Sequence, residues 1–148
     1  MGSYKDLAVY QEGRKLYRLV YDALAELPLE EKYAMASQMR RASISITSNI
    51  AEGQGRGTIR DYIHFLYNSR GSAYELESQI ISCSDLSLMK TETLQKLYTQ
   101  NKLVIQLLNR LIGTLQEKAM TKKVHEDVVT YGKSDGLLEP YESDRNID

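Results

Sequence analysis

Residues 94–115, LQKLYTQNKLVIQLLNRLIGTL, place apolar side chains at alternating intervals of three and four positions. The repeating residues are Leu94, Leu97, Val104, Leu108, Leu111 and Leu115, with polar Asn101 in the remaining place of the series. A helix has 3.6 residues per turn, so this spacing keeps the series on one side of an α-helix. The segment is therefore predicted to be a helix that buries one stripe.

Two earlier segments show the same rhythm. The first, about residues 4–27, repeats Tyr10, Gly13, Tyr17, Val20, Leu24 and Leu27, and the third repeats Ile59, Leu66, Ala73, Leu76, Ile80 and Cys83. Ser3 followed by Asp6 resembles a capping box for the first segment. Thr58 followed by Asp61 marks the start of the third. Both segments are predicted to be helices.

The second segment carries two patterns. Met35, Met39, Ala42, Ile46 and Ile50 fit a helix, whereas residues 44–50, ISITSNI, also alternate like a strand. A lone strand between helices has no neighbour to satisfy its backbone groups. We therefore predict a helix here, although β-branched residues and serines form helices poorly.

Turn-forming residues separate the four segments. Pro28 follows the first, the cluster Gly53, Gly55 and Gly57 follows the second, and a stretch rich in Ser, Asp and Thr follows the third, at residues 84–93. Four long helices joined by short turns predict an all-α fold, an antiparallel up-down-up-down four-helix bundle.

The charge distribution divides the chain into two parts. Residues 1–120 hold 15 Lys/Arg and 13 Asp/Glu, whereas residues 121–148 hold 4 and 7. The later part also loses the apolar period and contains Gly132, Gly136 and Pro140. We predict a bundle over residues 1–120 and an irregular acidic C-terminal tail over residues 121–148.

Composition narrows the functional classes. The net charge of −1 argues against a strongly basic nucleic-acid binder. The single cysteine, Cys83, allows no intramolecular disulfide, and the two histidines lie far apart in the sequence. There is no signal peptide and no long apolar run. The expectations are a cytoplasmic chain, no membrane contact, no metal and no cofactor.

The most distinctive motif is residues 38–56, QMRRASISITSNIAEGQGR. Asn49 and Glu52 share one helix face, and Gly53 suits the left-handed residue that ends a helix. Together with Arg56, these side chains either form a polar binding site at one end of the bundle or cap the helix and tie the loop to its neighbours. The glycine cluster has neither the lysine nor the spacing of a nucleotide-binding loop, so nucleotide binding is rejected.

A second motif lies inside the third helix. Gly71 and Ser72 form a small patch of the kind that allows another helix to approach closely. Glu75 and Glu77 follow, but side chains two positions apart on a helix point away from each other. They suit ion pairing across helices or subunits better than acid–base catalysis. The sequence shows no catalytic set, so we predict that the protein is not an enzyme.

The arginines suggest a nucleic-acid surface. Folding the helices back at Pro28 and Gly55 predicts one height in the bundle for Arg14, Arg18, Arg40, Arg41 and Arg70. These residues either form a basic belt for a nucleic-acid backbone or belong to a solvated face neutralised by acidic residues.

Tyrosine is unusually frequent, with eleven residues against one Phe and no Trp. The tyrosines at positions 10, 17, 21, 62, 67 and 74 exceed what a thin bundle core can hide. Tyrosine suits interfaces where the ring is dry and the hydroxyl is wet, so this excess indicates self-association.

Several of these motifs together resemble one known family. They are YKDL at 4–7, VYQ at 9–11, Pro28, Glu31, QMRRASISITSNIAEG at 38–53, Arg56 and RGSAYELESQ at 70–79. Over residues 4–115 the chain is similar to the 23S rRNA intervening-sequence proteins, or S23 family. The resemblance implies a cytoplasmic bacterial four-helix bundle that assembles as a homopentameric ring, and it implies no catalytic residues.

Two functional hypotheses follow. The first is a non-enzymatic, ring-forming module that binds structured RNA or a ribonucleoprotein through arginines such as Arg40, Arg41 and Arg56. The second is a protein-interaction scaffold that binds no nucleic acid and contacts another protein through its tyrosine-rich surface and acidic tail.

Overall fold

The computed structural model describes residues 2–134, with the backbone alone for residues 131–134. The four α-helices are α1 (Ala8–Ala23), α2 (Met35–Gly55), α3 (Ile59–Asp85) and α4 (Thr91–Ser134). Single turns of 3-10 helix lie at Tyr4–Asp6, Leu24–Glu26 and Leu29–Glu31. Within residues 2–134 there is no strand, and the all-α prediction is confirmed.

Each helix runs antiparallel to its neighbours. In every neighbouring pair, the contact that lies later in one helix is the contact that lies earlier in the other. The contacts are Gly13–Thr47 and Tyr21–Arg40 (α1 with α2), Ile46–Ser69 and Arg41–Glu75 (α2 with α3), Ala73–Asn101 and Tyr67–Gln116 (α3 with α4), and Glu12–Gln100 and Glu26–Thr93 (α1 and the turn after it with α4). The bundle therefore has the predicted up-down-up-down order.

The core follows the predicted stripes closely in α2 to α4 but is rotated in α1. The buried α1 residues are Val9, Gly13, Leu16, Val20 and Ala23, whereas Tyr10, Tyr17, Leu24 and Leu27 are only half-buried. Small and aliphatic side chains fill the centre of α1's buried face. The tyrosines lie at its margin, where their hydroxyls reach water.

Two polar side chains tie helices together inside the core. The Asn101 amide donates to the carbonyl oxygen of Ala73 at 2.9 Å, and the Ser69 hydroxyl donates to the carbonyl oxygen of Ile46 at 2.8 Å. Both side chains are buried. Each bond therefore lies away from water, and it fixes the height of one helix against its neighbour.

The segment with two patterns is a helix, as predicted. Ile46 and Ile50 are fully buried, and Ile44 on the outer face is partly exposed. The buried hydroxyls of Ser43 and Thr47 donate to carbonyl oxygens three residues earlier in the same helix. These hydroxyls therefore need no other partner, and packing overrides the poor helix propensity.

The predicted role of Gly53 as the left-handed end of α2 is wrong. The helix continues to Gly55, and the left-handed residue is Gly57, with φ +84°. The Thr58 hydroxyl then caps α3 as predicted, accepting a backbone N–H at 3.1 Å. Gly53 instead permits close packing, because a Cβ there would lie 2.7 Å from the Cβ of Phe65.

We expect opposite effects from two glycine-to-alanine substitutions. Gly113→Ala meets no atom within 4 Å and should stabilise the bundle by about 0.5–1 kcal/mol through helix propensity. Gly53→Ala should destabilise it by about 1–3 kcal/mol, because α2 and α3 must move apart. Urea unfolding of both variants measures the difference, and equal effects would contradict the close packing at Gly53.

Glu26 joins the turn after α1 to the start of α4. Its carboxylate accepts the Lys90 backbone N–H at 2.9 Å and the Thr93 hydroxyl. Both bonds lower the pKa of Glu26, and the bond from Thr93 has the larger effect. A carboxylate whose pKa is lowered by folding stabilises the protein at pH values above its unfolded-state pKa. That contribution is lost as the pH falls through its folded-state pKa.

Glu26→Gln should therefore reduce stability at pH 7 and weaken its dependence on acid. The free energy of unfolding of the native chain should fall between about pH 5 and pH 3, near and below the ordinary glutamate pKa. The variant should lose less over the same interval. Urea titrations at several pH values measure this, with exposed Glu30→Gln as the control; identical pH profiles for the two variants would contradict the role of Glu26.

The irregular tail predicted from residue 121 is wrong over residues 121–134, because α4 continues as a helix to Ser134. Residues 135–148, the rest of the predicted tail, lie outside the described residues. The core stripe ends where the other helices end. Beyond that point α4 has no neighbouring helix among the described residues, so its core-facing side needs no apolar stripe. The loss of the apolar period therefore did not show whether the segment is helical or irregular.

Candidate nucleic-acid interface and assembly surface

The five arginines of the predicted belt do not form one belt, and Arg56, the sixth candidate, lies apart from them at the end of α2. Arg41 contacts Glu75 while Ile46 contacts Ser69, so Arg70 lies about one and a half turns, or about 7 Å, from the height of Arg41. The side chains also point to different sides of the bundle. Arg40 lies toward α1, Arg41 toward α3 and Arg70 toward α4.

Three of the six lie on one side, across α1 and α2. Arg14 and Arg18 are exposed one turn apart on α1 and line a shallow depression with Lys15. The Arg40 guanidinium lies 5.4 Å from the ring centre of Tyr21 on the neighbouring α1. We call Arg14, Lys15, Arg18, Tyr21 and Arg40 the basic face.

Aromatic rings accompany these cations. The rings of Tyr17 and Tyr21 pack edge to face with centres 6.3 Å apart, and Tyr21 is 45% exposed. Asp22 is also exposed on α1, one turn after Arg18, and Glu12 pairs with Lys15 at 2.9 Å, so the net charge of the region is reduced but still positive. The sequence analysis did not include Lys15 among the candidate residues, although its position next to Arg14 indicated that it could belong to the same surface.

The other three arginines are engaged within the chain. Arg41 pairs with Glu75 and also donates to Gln38. Arg70 donates to Asn109 at 2.9 Å, and its guanidinium lies over Tyr67. These bonds support the interpretation of a neutralised surface for this group.

Arg56 belongs to the same engaged group. It pairs with Glu52 at 3.0 Å and lies 4.9 Å from the ring centre of Phe65. The pair joins consecutive turns of α2 and covers the start of α3. This geometry fits the structural alternative for Glu52 and Arg56.

Asn49 takes part in a polar seam between α2 and α3. Its amide donates to the backbone oxygen and the hydroxyl of Ser45 at 2.8 and 3.0 Å. The Ser72 hydroxyl reaches the same Ser45 hydroxyl at 2.8 Å from α3. Glu75, which pairs with Arg41, continues the seam toward the start of α2. The two sequence motifs thus meet face to face and hold the helices together.

The outer face of α3 carries apolar side chains that the described part of the chain leaves partly exposed. Tyr67, Tyr74 and Ile81 are 40%, 50% and 49% exposed at intervals of seven residues. Gly71 lies between the two tyrosines, and a Cβ placed there would meet no atom within 4 Å. Of the small patch predicted to admit a helix, Gly71 thus faces outward, whereas Ser72 is turned toward α2. We call these four residues the outer α3 face.

The chain's buried phenol and thiol are held in their neutral forms. The Tyr62 hydroxyl is buried without a hydrogen-bond partner, and burial raises its pKa. Burial, and secondarily the charge of Glu31, raise the pKa of the Cys83 thiol. A protonated, buried thiol is a poor nucleophile.

The described part of the chain holds no group of three or more His, Cys, Asp or Glu residues able to bind a metal ion. Within residues 2–134 no helix is long and apolar enough to span a membrane.

A family comparison accounts for this combination of bundle and motifs. The family model described as 23S rRNA-intervening sequence protein matches residues 5–110. This chain belongs to that family. The match includes both halves of the polar seam. It ends before the last part of α4.

A solved structure has the same fold. The crystal structure of a protein of unknown function from the S23 ribosomal protein family of Bacteroides thetaiotaomicron aligns with a TM-score of 0.66. The two chains are 21% identical, and the alignment covers 71% of this chain and 98% of the other. At that identity the likeness concerns the fold alone. No curated protein matches the sequence.

Proposed function

We propose that this 23S rRNA-intervening sequence protein is a non-enzymatic, cytoplasmic module that assembles with copies of itself and binds structured RNA or a ribonucleoprotein. The observation that carries the RNA proposal is the basic face, where Arg40 lies over the exposed ring of Tyr21 and Arg14 and Arg18 are exposed on the same helix as that ring.

The basic face has both kinds of group that RNA recognition uses. Guanidinium groups bind phosphates, and an exposed aromatic ring stacks on an unpaired base of a loop or bulge. Arg40 already lies over Tyr21, so a base stacked there would contact a ring and a cation together. Four cations limit the number of phosphates neutralised, so the affinity should be moderate and sensitive to salt.

Arg14→Ala/Arg18→Ala should weaken RNA binding without unfolding the protein, since both side chains are exposed. A plot of log affinity against log salt should become shallower by about one for each phosphate that the variant no longer neutralises. The measurement is fluorescence anisotropy with a labelled RNA stem–loop at several salt concentrations. Tyr21→Leu should also reduce the affinity for a stem–loop while leaving the salt slope unchanged.

The control is Arg110→Ala, which removes one exposed positive charge from α4. It should change the affinity much less than either α1 substitution. If all three variants bind equally, or if the native chain binds no RNA at physiological salt, the RNA proposal is wrong. The protein-scaffold hypothesis then becomes the preferred function.

The outer α3 face supports self-assembly. A row of exposed tyrosine and isoleucine with an open glycine at its centre is suited to close packing against another helix. The resemblance to the family implies a ring of five copies, and five chains of 16.9 kDa would give a particle of about 85 kDa.

Gly71→Arg should dissociate this assembly while leaving each bundle folded, because the added side chain meets open space within its own chain. Light scattering after gel filtration measures the mass, and circular dichroism confirms the helix content. Gly55→Arg, at another open glycine of a helix, is the matched control and should leave the mass unchanged. A monomeric native chain, or a Gly71→Arg particle of native mass, would contradict this interface.

A further inference from the structure

The last part of α4 leaves the bundle. The α2–α3 loop borders α4 at Ala119, Lys122, Lys123 and Glu126, and the helix continues to Ser134. We call residues 120–134 the α4 extension, which is about 22 Å long. The family match ends at residue 110, so the family gives the extension no role.

The extension carries an apolar stripe that no other described residue of the chain covers. Met120, Val124 and Val128 follow one another at intervals of four residues and are 67%, 58% and 65% exposed. At about 100° per residue, the stripe lies on the side of the helix opposite Ala119 and Lys122, which border the loop. A partner on the stripe would therefore lie away from α1, α2 and α3 and would not collide with them.

Charge along the extension is divided by position. Lys118, Lys122 and Lys123 come before Glu126 and Asp127 along the helix, and Lys133 follows near its end. Within the chain, Lys122 and Glu126 form an ion pair at 3.9 Å, with side chains 73% and 64% exposed. That pair lies on the side of the helix turned away from the stripe, so the charges that flank the stripe are those of Lys123 and Asp127.

This division fits one partner, the same segment of a second copy running in the opposite direction. When Val124 packs against the partner subunit's Val128, Lys123 comes close to the partner subunit's Asp127, and symmetry repeats the contact. A parallel pair would instead place lysines beside lysines and carboxylates beside carboxylates, which is unfavourable. The apolar stripe supplies attraction, and the charges select the antiparallel direction.

We propose that the α4 extension pairs antiparallel with the α4 extension of a second copy of this chain. This contact is separate from the outer α3 face. It therefore joins two particles of the kind that the bundles form and doubles the particle mass. A short stripe gives a weak contact between single chains. Several copies held in one particle would strengthen it by avidity.

The first test is Met120→Glu/Val124→Glu in the full chain. Both positions are exposed and glutamate favours helix, so the fold should remain. The particle mass, measured by sedimentation at high chain concentration, should fall twofold. Leu29→Glu, a substitution at another exposed apolar residue, should leave the mass unchanged. Equal masses for the native chain and the double variant would overturn the proposal, including the case in which the stripe binds a different protein.

A charge exchange tests the electrostatic part. Lys122→Glu/Lys123→Glu makes the extension acidic, and Glu126→Lys/Asp127→Lys makes it basic. Each variant alone should lose the twofold mass, because like charges then face each other. An equimolar mixture should recover it. No recovery in the mixture would overturn the charge pairing.

Cysteine cross-linking tests the direction. In the antiparallel pair, Val124→Cys of one copy lies opposite Val128→Cys of another, so a mixture of the two variants should form disulfides more than tenfold faster than either variant alone. A parallel pair would cross-link Val124→Cys to itself and overturn the proposal. The native Cys83 is buried and should not interfere.

Discussion

Close approach of α2 to α1 and α3 determines the rest of the bundle. The approach to α1 depends on Gly13, since a Cβ there would lie 2.8 Å from a methyl group of Thr47. The approach to α3 depends on Gly53 and on the 2.8 Å bond from Ser69 to Ile46. Small residues let the backbones meet, and the meeting points fix the register of the helices. That register decides which surface side chains become neighbours.

The basic face and the outer α3 face both follow from this register. Arg40 reaches Tyr21 because α1 and α2 cross near Gly13, and Gly71 faces outward because Ser69 and Ser72 are turned toward α2. A candidate RNA surface and a candidate assembly surface thus occupy different sides of one rigid body. An assembled particle built through α3 would leave α1 free to bind RNA.

The sequence alone predicted the four helices and most of the core, because apolar periodicity records burial directly. It did not predict the register, that is, how far each helix is shifted along its neighbour. Folding at Pro28 and Gly55 placed Arg41 level with Arg70, but α2 runs past Gly53 and two 3-10 turns lengthen the first connection, so each helix lies further along its neighbour. Periodicity also failed for the α4 extension, whose apolar residues lie opposite the core stripe. The pairing of Ser45 with Ser72 depends on register and was equally invisible.

The bond between Glu26 and the start of α4 spans 64 positions of the sequence to Lys90. The backbone N–H just before the longest helix, and a hydroxyl in its first turn, are therefore satisfied by a residue that is in place only when α1 has docked. Folding of the first and last helices is coupled by this contact, even though local propensity favours each helix separately. Amide hydrogen exchange at the first turn of α4 would consequently follow opening of the whole bundle rather than fraying of one helix end.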